Sequence, residues 1–330
     1  MLILAKASMA MMLGFVLSLI TGLFVVPLFR KLHFGQSVSK LINERHLKKE
    51  GTPTMGGIIF IVPVIISLIL LYIKGSIEIS YNLIIVVFVF LAYGLLGFID
   101  DYLKVKYHNN NGIRLVTKFL IQMCIALVFF YLFMKGGGEP ALSISFLNIY
   151  IDLGWMFGLF ILFLLVGTTN AVNITDGLDG LAGGLSAIAF FAYGVISWNA
   201  GWLEGYQEIA IFCFLLVGAL VGFLVFNTHP ARIFMGDLGS LALGGALASV
   251  AIVSRHEISL AIIGGVFVIE TLSSLIQIIS IRYFNKKVFL KAPLHHHFEE
   301  IGWRETDIIK LFWVVGFILA MAAITYGVWL

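Results

Sequence analysis

Residues Trp155–Trp198 read WMFGLFILFLLVGTTNAVNITDGLDGLAGGLSAIAFFAYGVISW. Two apolar runs, Trp155–Thr169 and Leu185–Trp198, flank a polar segment, Asn170–Gly184. That segment places Asn170, Asn173, Asp176 and Asp179 at intervals of three, among glycines at 177, 180, 183 and 184. On a helix each of the four would neighbour the next. Asn, Asp and Gly are also the residues of tight turns, so a glycine-rich turn with a capping Asp is the competing reading. Either way, oxygen-bearing side chains gather at the mouth of a bilayer.

The rest of the chain supports the membrane reading. Of 330 residues, 60% are hydrophobic and 12% charged, about half the charged fraction of a soluble domain; the mean hydropathy is +1.03. Apolar runs near the length a bilayer demands, about 20 residues, fall at 9–29, 55–73, 82–99, 117–134, 155–172, 182–198, 207–226, 239–254, 258–281 and 308–329. The expectation is an all-α integral membrane protein of about ten spans, a single polytopic domain over 1–330. The first run is too long for a signal-peptide core and is kept as a span. Cys124 and Cys213 lie inside apolar runs and suggest neither a disulfide framework nor a metal motif. No nucleic-acid partner is expected.

Ten spans put the loops after odd-numbered spans on one side. All but four of the 21 Lys and Arg residues fall there, the exceptions being Lys6, Lys74, Lys135 and Arg255. The excess of positive charge makes that side cytoplasmic and both termini extracytoplasmic. Among the outside loops, Gly136–Gly154 carries two β-leaning runs, Leu142–Phe146 and Ile149–Leu153; a small hairpin near 140–153 and an irregular loop both fit. The ninth span is read as one helix from Ser259 past Lys287, with Glu270 and Gln277 at membrane depth. For Glu270, a structural hydrogen bond to a neighbouring helix is favoured over a functional role.

Polar clusters mark every cytoplasmic loop. Gly51-Thr-Pro-Thr-Met-Gly-Gly57 follows Lys48 and Lys49; its amides suit phosphate, and Thr52 or Thr54 as a helix cap is the alternative. Asp100 and Asp101 are adjacent at a span end, where like charges call for a nearby cation; Lys104, Lys106 and Lys118 add positive charge that suits a phosphate ester. Asp237 lies between Gly236 and Gly239, as a ligand or as the cap of the eighth span. Phe234 is either a stacking platform or an interfacial anchor. His295–His297 offers at most two side chains to one site, because consecutive residues point apart. Acids, lysines, histidines and glycine turns on one membrane face fit Mg²⁺-dependent phosphotransfer, which needs oxygen ligands, positioning and charge neutralisation. A cation-coupled transporter would instead place its acids in mid-span.

With these motifs together (GTPTMGG at 51–57, Asp100-Asp101, NAVNITDGLDGLAGG at 170–184, FNTHPARIFMGDLGS at 226–240 and PLHHHFE at 293–299), the chain resembles, nearly end to end, the polyprenyl-phosphate N-acetylhexosamine-1-phosphate transferases and among them the phospho-N-acetylmuramoyl-pentapeptide branch. The resemblance implies transfer of phospho-MurNAc-pentapeptide from UDP-MurNAc-pentapeptide to undecaprenyl phosphate in the bacterial cell membrane, giving lipid I and UMP for peptidoglycan synthesis. It implies Mg²⁺ held chiefly by Asp237, with Asp100 and Asp101. Asp100 would deprotonate the lipid phosphate; it is also the one nucleophile considered for a two-step path, which stays open beside direct attack. Asn173, Asp176 and Asp179 would line the nucleotide pocket with Phe234 on the uracil, and Asn170 and Asn227 join the substrate-binding set. Lys49, Thr54 and Lys118 match polar site positions. His296, counted with the catalytic acids, and His297, with His295 beside them, would meet the phosphate or sugar, and a groove beside a bent ninth span would admit the lipid. A homodimer and inhibition by nucleosides are left open. A sister enzyme transferring GlcNAc-1-phosphate and a lipid or nucleotide-sugar transporter are the alternatives.

Overall fold

The computed structural model describes residues 2–32, 34, 51–107, 112–144, 149–201 and 205–326. Lys48 and Lys49 lie outside them. The described chain is built from helices α1 (Leu2–Lys31), α2 (Ile58–Ile73), α3 (Tyr81–Lys106), α4 (Leu115–Lys135), α5 (Met156–Thr175), α6 (Leu181–Asn199), α7 (Tyr206–Asn227), α8 (Gly236–Val253), α9 (Glu257–Ile263), α10 (Gly265–Phe284), α11 (Leu294–Glu300) and α12 (Glu305–Ile324). Nine of these are long and apolar enough to cross a membrane, and α2, at 16 residues, is a shorter apolar helix. The ten expected spans coincide with these ten helices, the ninth only in part, so the all-α membrane architecture stands. Strands β1 (Ala141–Ile144) and β2 (Ile149–Asp152) pair antiparallel, Ala141 opposite Asp152, and form the small hairpin. Arg255 ties Glu139 to the α8–α9 turn at 2.7 Å.

Composition decides which helices lie inside. The most apolar window of α8 is 89% buried and that of α4 only 17%. Helix α8 reads GDLGSLALGGALASVAIV, rich in Gly, Ala and Ser, and small residues let helix backbones approach where hydrophobic burial gives no drive. Helix α1 lies along α7 on the same principle: a Cβ on Gly14 would meet Leu215 O, and one on Gly218 would meet Met11 O. There Ser18 Oγ donates to Ala219 O at 2.7 Å.

Three expectations need correction. The polar span ends are helical. Helix α3 runs through Asp100 and Asp101 to Lys106, with no Gly or Pro after Gly97 to stop it, and α5 carries Asn170 and Asn173 to its end at Thr175. The four-residue series is therefore helical only in its first half; Asp176 follows the helix and Asp179 sits in the turn before α6. The ninth span is not one helix. It breaks at Gly264, and Gly265 lies tight against Leu319 of α12. It then ends at Phe284, where Asn285 takes a left-handed conformation (φ 51°). Buried Gln277 folds the chain back, accepting from the N–H groups of Val288 and Phe289 at 3.1 and 3.0 Å. Finally, neither Thr52 nor Thr54 caps α2; its N-cap is Gly57, without a side-chain bond.

Candidate active site

Four helix ends meet on one side of the bundle: the last turns of α3 and α5 and the first turns of α4 and α8. They bring together Asp100, Asp101 and Lys104 from α3, Lys118 from α4, Asn173 from α5 and Asp237 from α8. Asp237 is the hub. Its Oδ2 accepts from Lys118 Nζ at 2.5 Å and Lys104 Nζ at 3.0 Å, and its Oδ1 accepts from Asn173 Nδ2 at 2.8 Å. Asp100 pairs with Lys104 at 2.6 Å and lies 3.6 Å from Lys118, while its other oxygen accepts the Ile113 N–H. Asp101 accepts the Leu238 N–H at 3.0 Å. Asp101, across the interface, thus caps α8; Asp237 makes no such bond.

Oxygens of the three carboxylates lie within 4.8 Å of one another. Asp100 and Asp101 are buried. Two lysines face three acids, leaving one negative charge in excess. This hard-oxygen set fits a magnesium-type cation better than a soft one. Thr54 adjoins it: Gly236 (φ 73°) sits so close that a Cβ would meet the Thr54 hydroxyl and the Asp101 carboxylate.

A second group lies around the Asp176–Gly180 turn. Half-buried Asp176 ends α5, its N–H bonded back to Val172 and Asn173. Buried Asp179 accepts from Ala231 N at 3.0 Å and faces His229 Nδ1 at 3.1 Å. Phe234 is half-buried, and its backbone bonds to Pro53 O and Gly56 N–H, fastening the 226–235 loop to the 51–57 loop. Asn227 is a loop strut, donating to Ile233 O at 2.9 Å. Asn170 is turned away from the acids: it donates to Gln122 Oε1 at 2.9 Å and ties α5 to α4.

The three histidines go three ways. His295 is buried and pairs with buried Glu270 through Nδ1 at 2.9 Å and its own N–H at 3.1 Å. That is the structural bond expected of Glu270, although its partner is the short helix α11. The far edge of the His295 ring abuts Gly177. His296 pairs with Glu299 at 2.6 Å. Burial pushes its imidazole below the ordinary value, against the opposing pull of Glu299. His297 accepts from Leu290 N and lies edge-on to Phe289. Replacing Glu270 with leucine strips two buried donors of their acceptor, with an expected cost of about 1–3 kcal/mol. A lowered thermal midpoint in detergent checks it, and Glu270→Gln, which keeps one acceptor, should lose less.

Comparison with known proteins gives the family. Residues 83–255 match the profile of glycosyl transferase family 4, and residues 49–61 match phospho-N-acetylmuramoyl-pentapeptide-transferase signature 1. The chain is 48% identical over 322 residues to the phospho-N-acetylmuramoyl-pentapeptide-transferase of a Geobacillus species (strain WCH70), covering 98% of each. It is 46% identical over 319 residues to the protein of that name from Bacillus subtilis, covering 97% of each. The chain belongs to the phospho-N-acetylmuramoyl-pentapeptide transferase family.

Within this transferase, the family profile spans the three acids, Lys118, Asn173 and Phe234; the signature spans Lys49 and Thr54; the histidine segment lies beyond both. Lys104, expected only as added positive charge for a phosphate ester, touches all three acids, and His229, Glu305 and Glu299, which pair with expected site residues, are not in the expected set. Lys104 had a signal, since it stands four residues after Asp100 and three after Asp101, on one helix face. Lys106, also considered for a phosphate, points instead to the rings of Tyr102 and Tyr107. Glu305 pairs across 126 residues of chain and has no local signal.

Proposed function

We propose that this transferase moves phospho-MurNAc-pentapeptide from UDP-MurNAc-pentapeptide to undecaprenyl phosphate, releasing UMP and forming lipid I, in the first membrane step of peptidoglycan synthesis. The observation that carries the reading is the convergence of three carboxylates, two lysines and an amide at one end of a membrane bundle. One substrate is a lipid and the other water-soluble, so the chemistry belongs at such an edge. The asymmetry of Lys and Arg supports placing that edge on the cytoplasmic side of a bacterial cell membrane.

In the reaction, an oxygen of the lipid phosphate forms a bond to the sugar-bearing phosphorus. The bond from that phosphorus to the bridging oxygen breaks, and UMP leaves with the electron pair. Asp237, Asp100 and Asp101 would hold Mg²⁺, which when bound supplies charge neutralisation for the phosphates. Asp100 takes any proton left on the lipid phosphate. Lys118 and Lys104 turn from the acids toward the incoming phosphates, and Asn173 holds Asp237 in place. Preorganised charge of this kind is the main lever on phosphoryl transfer. Phe234 supplies a stacking face for uracil, and Asp176 and Asp179 shape the pocket beside it. His296 and His297 flank the sugar-phosphate side.

The test is UMP release by purified protein given both substrates, with Mg²⁺ or with EDTA. UMP and lipid I should appear with Mg²⁺ and vanish with EDTA, returning when Mg²⁺ is restored. UMP from UDP-GlcNAc alone would move the chain to the sister branch, and no release by folded protein would overturn the reading.

A further inference from the structure

The Asp176–Gly180 turn and the 226–235 loop are held together by a group on a third segment, the start of α12. Glu305 is its first residue. Glu305 Oε1 accepts the Asp179 N–H at 2.8 Å, and Oε2 lies 3.4 Å from His229 Nδ1. The same nitrogen lies 3.1 Å from Asp179 Oδ2, which also accepts the Ala231 N–H. Carboxylates only accept, so a hydrogen on Nδ1 bridges the two acids and the exposed edge of the ring carries Nε2. The side chains of Asp179 and Glu305 are 3% and 12% exposed and that of His229 41%. The acids are therefore the buried grip, and the imidazole is the surface they hold out.

Helix α12 is a fixed support for this grip. Trp313 Nε1 donates to Leu181 O at the start of α6, and the Trp313 ring fills the space a Cβ on Gly184 would take. The Glu305 carboxylate also lies by the N-terminus of α6, where the helix dipole favours negative charge.

We propose that Glu305 is a positioning residue for the nucleotide donor: through Asp179 and His229 it sets the spacing between the turn that carries Asp176 and the loop that carries Phe234. The inference rests on the phosphotransfer reading, in which those two segments form the nucleotide pocket. Its bonds to Asp179 and His229 act on the nucleotide side of the site, so its effect falls on one substrate.

The experiment compares wild type, Glu305→Ala and Glu305→Gln, each full-length in detergent, in steady-state kinetics varying each substrate and in calorimetric binding of UMP. Glu305→Ala should raise both the KM for UDP-MurNAc-pentapeptide and the Kd for UMP about tenfold, the worth of one lost charged hydrogen bond. The KM for undecaprenyl phosphate and kcat should stay within about twofold. Glu305→Gln, which keeps an oxygen for the Asp179 N–H, should recover most of the loss. Unchanged donor KM and UMP affinity in Glu305→Ala would overturn the proposal. So would equal losses on both substrates together with a fallen thermal midpoint, which would mark a general structural role. If wild type binds UMP without turning over, the phosphotransfer reading falls and the UMP arm alone decides Glu305. If wild type binds no UMP, both fall.

Discussion

Asp237→Asn is expected to lower Mg²⁺-dependent UMP release by about 10³-fold while leaving the protein folded. The size follows from the geometry. Asp237 is the one group in the cluster that touches both lysines and Asn173, and removing one preorganised charge-bearing group from such a site costs about 10²–10³-fold in rate. It is also a metal candidate, so the loss should sit at the upper end and the Mg²⁺ concentration for half-maximal rate should rise. Asparagine keeps the shape and one oxygen, so packing is undisturbed. Helix α8 keeps its cap, because the Leu238 N–H goes to Asp101. Lys104 and Lys118 keep Asp100 as a partner. Single-turnover assays across a Mg²⁺ titration, with a thermal melt on the same sample, check it. A wild-type rate would remove Asp237 from the metal site; a collapsed melting transition would make it a folding residue.

Much of this architecture was readable from residue order, for identifiable reasons. In a chain only 12% charged, an acid beside an apolar run stands out, and that is what makes Asp100, Asp101, Asp176, Asp179 and Asp237 candidates. Length of apolar run gave the helices one by one. Hydropathy failed at the ninth span because it averages over a glycine pair: Gly264 and Gly265 carry no charge to interrupt the apolar run, yet glycine is among the weakest helix formers, and the helix breaks there. It failed again at the span ends, where polarity and helicity part company. Asp100 and Lys104 leave the apolar run but stay on the helix, and that puts them on one face. Pairings across distant segments were the least legible. Nothing near Asp179 points to His229 or Glu305, and nothing near Glu270 points to His295. Asn170 and Asn173, three residues apart and chemically identical, reach different neighbours because only Asn173 stands level with the first turn of α8.

Gly97→Ala should be the most damaging methyl group that can be added to α3. Gly97 lies one turn before Asp100 and Asp101, where α3 crosses the start of α8. A Cβ there would collide with the Asp237 carbonyl and the Leu238 N–H. Both are backbone atoms of the turn that presents the Asp237 carboxylate, so no side-chain rotation relieves the clash and the helices must separate. Separation breaks the Asp101 bond to Leu238 and carries Asp237 away from Lys118. A displacement near 1 Å in a site that works by alignment costs about 10²-fold, and the overpacking itself about 1–3 kcal/mol of stability. The control lies one turn earlier on the same helix. A Cβ on Gly94 would find its nearest neighbour, the Ala242 methyl, at 3.4 Å, an ordinary contact. Gly94→Ala should therefore keep its rate within about twofold while Gly97→Ala loses about 10²-fold. If the two variants behave alike, the close crossing at Gly97 is not what sets the position of Asp237, and the alignment of the acids must be held by the lysine and amide bonds alone.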